Sequence, residues 1–234
     1  ALVRYEPGSR RVRRWSRDDG ADAVMEGNVQ DIAVCGGRVW TMSPTGVQAR
    51  DLQGRVQVSV PLGEGGLRAG QLNISLVCGP RGQPWLAGSQ GLQEWDPHLG
   101  VFALVDGGPA GAVHAMAFAN GDQVWLSQDG RLVQHRWTGS ALQRHRVIGA
   151  VQGYPALAAN GLAVDETGIV WASSPRGMLR VDPRVPSVRL YGVHDGLPSQ
   201  EFRENTLVAS RSGQLLAGTP AGVLLFDPLK VGPP

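Results

Sequence analysis

One motif recurs five times along this 234-residue chain and restricts it to a repeat architecture. Val39-Trp40-Thr41-Met42-Ser43-Pro44-Thr45-Gly46 aligns with Pro84-Trp85-Leu86-Ala87-Gly88-Ser89-Gln90-Gly91 and with Val170-Trp171-Ala172-Ser173-Ser174-Pro175-Arg176-Gly177. Val124-Trp125-Leu126-Ser127-Gln128-Asp129-Gly130 is one residue shorter, and Leu215 to Gly222 places Leu216 where the others have Trp. The four tryptophans and Leu216 stand 45, 40, 46 and 45 residues apart. A unit of that length with several short strands is the signature of a propeller blade, because one unit cannot bury its apolar face alone and must stack on the next.

Strand signals inside each unit agree. In the fourth unit, Asn160 to Val164 reads as a short apolar strand and Asp165-Glu166-Thr167-Gly168 as a turn. Ile169 to Ser173 carries the Trp, Ser174 to Gly177 turns again, Met178 to Val181 is a third strand, and Val188 to Val193 a fourth. Gly supplies positive φ at such turns, and Asp182-Pro183 stops a strand through turn chemistry and a missing N–H. Nothing reads as an amphipathic helix. The expected fold is all-β, a propeller of four-stranded antiparallel blades with about five repeats, either a closed five-blade ring or part of a larger seven-blade ring. Residues 1–234 read as one domain, with blade units at 28–61, 71–106, 113–148 and 160–193, and a last unit formed by 204–234 together with 1–17. An outermost strand from the N-terminal segment would then complete the last blade and hide two open edges.

Composition bounds the function. Apolar residues are 42% and charged residues 18%, so a substantial core is available and wholesale disorder is excluded. A formal charge of +2 is too small to imply a nucleic-acid partner, and no apolar run is long enough for direct membrane insertion. No signal peptide opens the chain, which reads as a piece of a longer protein. Cys35 and Cys78 hold matching places in successive repeats. Two small buried thiols fit those places, a disulfide is the alternative, and zinc binding lacks partner ligands.

The pattern Trp-x-x-(Ser/Thr)-x-x-Gly with a following Asp-Pro, and the segment Tyr191-Gly192-Val193-His194-Asp195-Gly196-Leu197-Pro198-Ser199-Gln200, resemble the two-component regulator propeller repeat. Gly196 to Phe202, then Gly213, Gly218 and Phe226-Asp227-Pro228, resemble a closing blade of such sensors. The resemblance implies a periplasmic, non-catalytic ligand-sensing module of a bacterial signalling receptor, with a small-molecule or glycan ligand. It also implies downstream signalling domains in the same longer chain, and leaves room for a homodimer. A propeller lyase of the streptogramin-lyase type and a protein-binding scaffold are the alternatives; the lyase needs a His/Glu pair with a divalent metal, and no such pairing is evident.

Other chemistry is sparse. The five histidines lack metal spacing, and no nucleophile-elbow pattern surrounds Ser199. Gly63-Glu64-Gly65-Gly66 precedes no helix, so no cofactor is expected. Arg10-Arg11-Val12-Arg13-Arg14 suits either an anionic surface or the guarding of an exposed edge. The recurrent Trp positions point to packing between blades, whereas Trp15, Trp95 and Trp137 read as amphipathic residues on outer strands. Counting back from the Trp positions finds Asn28, Asn73, His114, Asn160 and Asn205, each near the start of an innermost strand. Loops on that same face include Gln128, Tyr154, Arg176, His194 and Arg203. Arginine forks at 176 and 203 could meet an anionic or polyhydroxyl ligand, and the Tyr154 ring could stack on a sugar. These ten residues are the candidate ligand-binding set, beside the bland alternative of ordinary loop residues and channel-water partners.

Overall fold

The computed structural model describes residues 1–119, 121–210 and 212–232. Two compact units divide the chain, residues 1–104 and 105–234. The first unit opens with a hairpin, β1 (Leu2–Glu6) and β2 (Arg11–Trp15). Its first blade runs β3 (Asp31–Cys35), β4 (Arg38–Ser43), β5 (Gly46–Arg50) and β6 (Val56–Pro61). The second runs β7 (Asn73–Cys78), β8 (Pro84–Gly88), β9 (Gly91–Asp96) and β10 (Val101–Leu104).

The second unit holds three blades. One is β11 (Ala115–Phe118), β12 (Gln123–Gln128), β13 (Arg131–Trp137) and β14 (Leu142–Ile148). The next is β15 (Gly161–Val164), β16 (Val170–Ser174), β17 (Gly177–Asp182) and β18 (Ser187–Tyr191). The last is three-stranded: β19 (Val208–Ala209), β20 (Leu215–Thr219) and β21 (Gly222–Phe226). All ladders between these strands are antiparallel, and the described residues contain short 3-10 turns but no α-helix. Within each unit, neighbouring blades meet through their innermost strands, β3 beside β7 and β11 beside β15 beside β19.

The repeat explains the core. Trp40, Trp85, Trp125 and Trp171 are all at most 2% exposed, so the recurring ring is a packing element. Trp15, Trp95 and Trp137 are buried as well, which corrects their reading as outer-strand amphipaths. Trp95 packs on Trp40 and Phe102 with ring centroids 5.3 and 5.2 Å away. Trp15 lies over Gly54, where φ is +90° and a Cβ would sit 1.8 Å from the indole. Glycine alone allows both that backbone and that approach.

The N-terminal segment forms a hairpin, with β2 paired to β1. Arg4 and Arg13 stand directly opposite one another in it, yet each guanidinium reaches a carbonyl at the end of the first blade, Leu52 and Gln53. Those bonds turn two like charges into a clasp. Arg50 fastens the following loop more deeply. Its buried guanidinium donates to the carbonyls of Asp22, Ala23 and Gly54 and to Gln48 Oε1, at 2.7–2.9 Å.

Cys35 and Cys78 form a disulfide between β3 and β7, with Cα atoms 5.2 Å apart. The pairing replaces the reading of two buried thiols. It was hidden because the residues are 43 positions apart, and only the packing of two inner strands brings them together.

Candidate functional site

The loops that lead from the outermost strand of one blade to the innermost strand of the next, and the turns between the second and third strands of a blade, share one end of the blades, because they hydrogen-bond to each other. Thr45 Oγ1 donates to Glu26 O at 2.7 Å, Ser89 N to Leu72 O at 2.9 Å, and Gly130 N to Leu157 O at 3.1 Å. Ligand-facing loops at that end would rest on a scaffold of strand ends.

In the second unit this end is well organised around Asn160. Its backbone N–H donates to Ser173 O at 2.7 Å, and its Nδ2 donates to Phe202 O at 2.8 Å. Asn160 O in turn accepts from Asn205 N at 2.8 Å. Asn205 takes a left-handed conformation with φ +55°, which Asn tolerates better than most residues. Arg203 N donates to Gly218 O at 2.9 Å, while Thr206 Oγ1 ties Arg203 O at 2.8 Å and accepts from Gly218 N at 3.0 Å. Phe202 is buried in the cluster containing Trp171 and Tyr191. The Arg203 backbone is therefore pinned on every side, and its side chain is exposed. Arg176 is likewise exposed, in the β16–β17 turn whose backbone bonds Ser174 Oγ. His194 is exposed in a 3-10 turn, Val193–Asp195, that ends the fourth strand earlier than the sequence suggested.

His114 and Asn160 occupy equivalent places, since each donates its backbone N–H to the residue two past the blade Trp. In the first blade that place belongs to Gln30, whose N–H donates to Met42 O at 2.8 Å. Asn28 lies two residues earlier in an exposed loop, so counting from Trp missed the register there. Asn73 is displaced by the irregular pairing between Asn73 and Ser75. Its Oδ1 accepts from Gln71 Nε2 at 2.7 Å, and Gln71 also donates to Gln93 Oε1 at 3.0 Å, a network internal to the second blade. His114 Nε2 stands 2.9 Å from Asp129 Oδ1, at an angle outside hydrogen-bond geometry.

Two candidates belong to the core. Tyr154 is 2% exposed among Leu132, Ile148 and Leu179, so its ring cannot stack on a sugar. Burial pushes its hydroxyl up to about 12, with Ser127 opposing. Gln128 is buried too and reaches Ala110 O at 3.5 Å. The Gly-x-Pro context around Tyr154 suggested a loop, and the loop exists; its aromatic residue simply turns inward.

Among the described residues, no group of three or more His, Cys, Asp or Glu side chains could hold a metal, and no helix is long and apolar enough to cross a membrane.

No family model and no curated protein matches the chain. Among solved structures it is similar to the extracellular domain of a hybrid two-component system from B. thetaiotaomicron, with TM-score 0.70 and 16% identity over 95% of this chain and 29% of that one. It is also similar to PorZ, a surface component of the type-IX secretion system of Porphyromonas gingivalis (TM-score 0.65, 15% identity, 92% of this chain, 34% of that one). Virginiamycin B lyase from Staphylococcus aureus is a further structural relative (TM-score 0.58, 11% identity, 87% and 71%). The chain thus spans 29% of the length of the two-component structure. Identities this low carry the fold and nothing finer: this chain is an all-β propeller built of five antiparallel blades.

Proposed function

We propose that this chain is an extracytoplasmic, non-catalytic sensor module that binds a small-molecule or glycan ligand and passes the signal to domains elsewhere in a longer polypeptide. The observation that carries this reading is the likeness to the extracellular domain of a two-component system along 95% of the chain. The Cys35–Cys78 disulfide supports the compartment, because such bonds persist in oxidising surroundings. The recognition surface is the loop end of the second unit, where Arg203 and Arg176 project from pinned backbone and His194 is exposed nearby in sequence. Forked guanidinium donors there suit carboxylate or vicinal hydroxyl groups.

A thermal-shift screen against mono- and oligosaccharides and peptides tests the reading. A hit should lose affinity in Arg176→Ala/Arg203→Ala and keep it in Glu166→Ala, which changes an exposed turn at the other end of the fourth blade. Equal affinities in both variants would place recognition elsewhere. Turnover of a streptogramin-type substrate would overturn the non-catalytic assignment.

A further inference from the structure

The hairpin of the first unit carries a cleft of about 470 Å³, lined by Arg4, Glu6, Arg11, Val12, Arg13 and Gln53. Its chemistry follows from strand alternation. Arg11, Arg13 and Trp15 leave β2 on one face, and Trp15 buries against Gly54 of the first blade. That face therefore turns toward the blade and takes both arginines with it. Arg4 stands opposite Arg13 and Glu6 opposite Arg11, so four charged side chains share this face.

The positive charge there is uncompensated. Glu6 is the one carboxylate in the lining, and both its oxygens are engaged, Oε1 by Arg4 at 2.6 Å and Oε2 by Ser9 Oγ at 3.0 Å. Asp51, two residues before Gln53, is bridged by Arg55 at 2.7 Å. Neither Arg11 nor Arg13 enters an ion pair among the described residues, so the lining keeps a formal charge of +2 from its three arginines and one glutamate.

Two of the guanidinium groups are also held in place. Arg13 donates from Nη1 to Gln53 O at 3.0 Å and lies over the Trp15 ring, 4.8 Å from its centroid. Arg4 is fixed between Leu52 O and Glu6. Charges that only guard a sheet edge need no such geometry. Like charges directly opposite oppose strand pairing, whereas cations ordered in advance at the wall of a cleft are what anion binding requires.

We infer that this cleft binds a small organic dianion, a dicarboxylate or a phosphate monoester. Its volume falls within the roughly 300–1,000 Å³ of small-ligand sites, and two negative charges match the lining. Arg11, exposed and unpaired, offers its whole fork, and Arg13 offers the donors that Gln53 does not occupy. Arg4, already paired with Glu6, adds attraction from the opposite strand. These residues are distinct from Arg176 and Arg203 of the sensor reading.

The test is isothermal titration calorimetry on the full chain at neutral pH and constant ionic strength. Sodium succinate, glucose 6-phosphate, sodium acetate and glucose are the separate titrants. Succinate or glucose 6-phosphate should bind saturably, and the tighter of the two tells carboxylate from phosphate chemistry. Acetate and glucose should bind at least about tenfold more weakly. Arg11→Ala removes an exposed side chain, so the melting temperature should stay at the wild-type value while dianion affinity falls about tenfold or more. Arg144→Ala deletes the same charge from an exposed position on β14 and should leave affinity unchanged. No saturable binding of either dianion, equal binding of acetate or glucose, undiminished binding in Arg11→Ala, or an equal loss in Arg144→Ala would overturn the site. None of those results bears on ligand binding at Arg176 and Arg203.

Discussion

The indole N–H of Trp171 donates to Asp165 Oδ2 at 2.8 Å, and both side chains are buried. The other carboxylate oxygen accepts from Thr167 N, Thr167 Oγ1 and Ile169 N at 2.7–3.1 Å. One carboxylate therefore closes the β15–β16 turn and fixes the ring that packs the fourth blade. At the matching turn of the second blade the residue is Gly79, where a Cβ would come within 2.5 Å of the Trp85 ring. The same ring position is thus held in two ways, by a hydrogen bond in one blade and by close approach in another.

Asp165→Ala should destabilise by about 2–4 kcal/mol, because a charge-assisted acceptor is removed and an indole N–H is left buried. Trp171→Ala should cost about 3–5 kcal/mol through the cavity it opens. Urea unfolding midpoints measure both. A wild-type midpoint for Asp165→Ala would mean that the turn is held by its backbone alone.

Reduction of Cys35–Cys78, or Cys78→Ser, should lower stability by about 4 kcal/mol on the chain-entropy account, given a 43-residue separation. Thermal melts with and without reductant check this. Identical melts would show that β3 and β7 need no covalent link.

Asp31 joins two blades, since its Oδ2 accepts from Leu76 N at 2.7 Å and its Oδ1 from Ile32 N at 2.8 Å. Burial nevertheless raises its carboxyl from 3.8 to about 6. The folded state then holds more protons than the unfolded chain between those values, so stability is greatest at the acidic end and falls as pH rises through about 6. The loss amounts to about 2–3 kcal/mol. Asp31→Asn should flatten the stability–pH profile over that interval, whatever its absolute stability. A slope identical to wild type would assign the titration to another group.

Gly54→Ala should destabilise the first unit strongly, since the new methyl meets the Trp15 indole in a backbone with φ +90°. Fluorescence-monitored unfolding of the variant provides the measurement. An unchanged profile would require the hairpin to be displaced without cost.

The alternating strands, the turns and the blade repeat were legible in the residues because they depend on local rules. Trp-x-x-(Ser/Thr)-x-x-Gly fixes a strand, a tight turn and a buried ring within one unit. The fourth blade matched its sequence reading within a residue or two, the 3-10 turn at Val193–Asp195 shortening the last strand by two residues. The set of candidate site residues was less legible. Asn160 and Asn205 do meet, through a long-range backbone bond, and Arg203 is tied instead to Gly218, while Tyr154 and Gln128 turn into the core. Side-chain direction in a loop depends on what packs beneath it, and that information lies in other blades.

The sequence by itself determined the all-β class, the number of repeats and the burial of the recurrent tryptophans, since each follows from periodicity and turn chemistry over a few residues. Only the tertiary structure decided that Cys35 meets Cys78, that Arg4 and Arg13 clasp carbonyls, and that His135 lines a cavity beside a slipped strand. Those features need contacts between segments distant in sequence or a one-residue register shift. Neither leaves a local pattern, because the same residues would serve equally well as small core groups, exposed edge charges or an ordinary strand histidine.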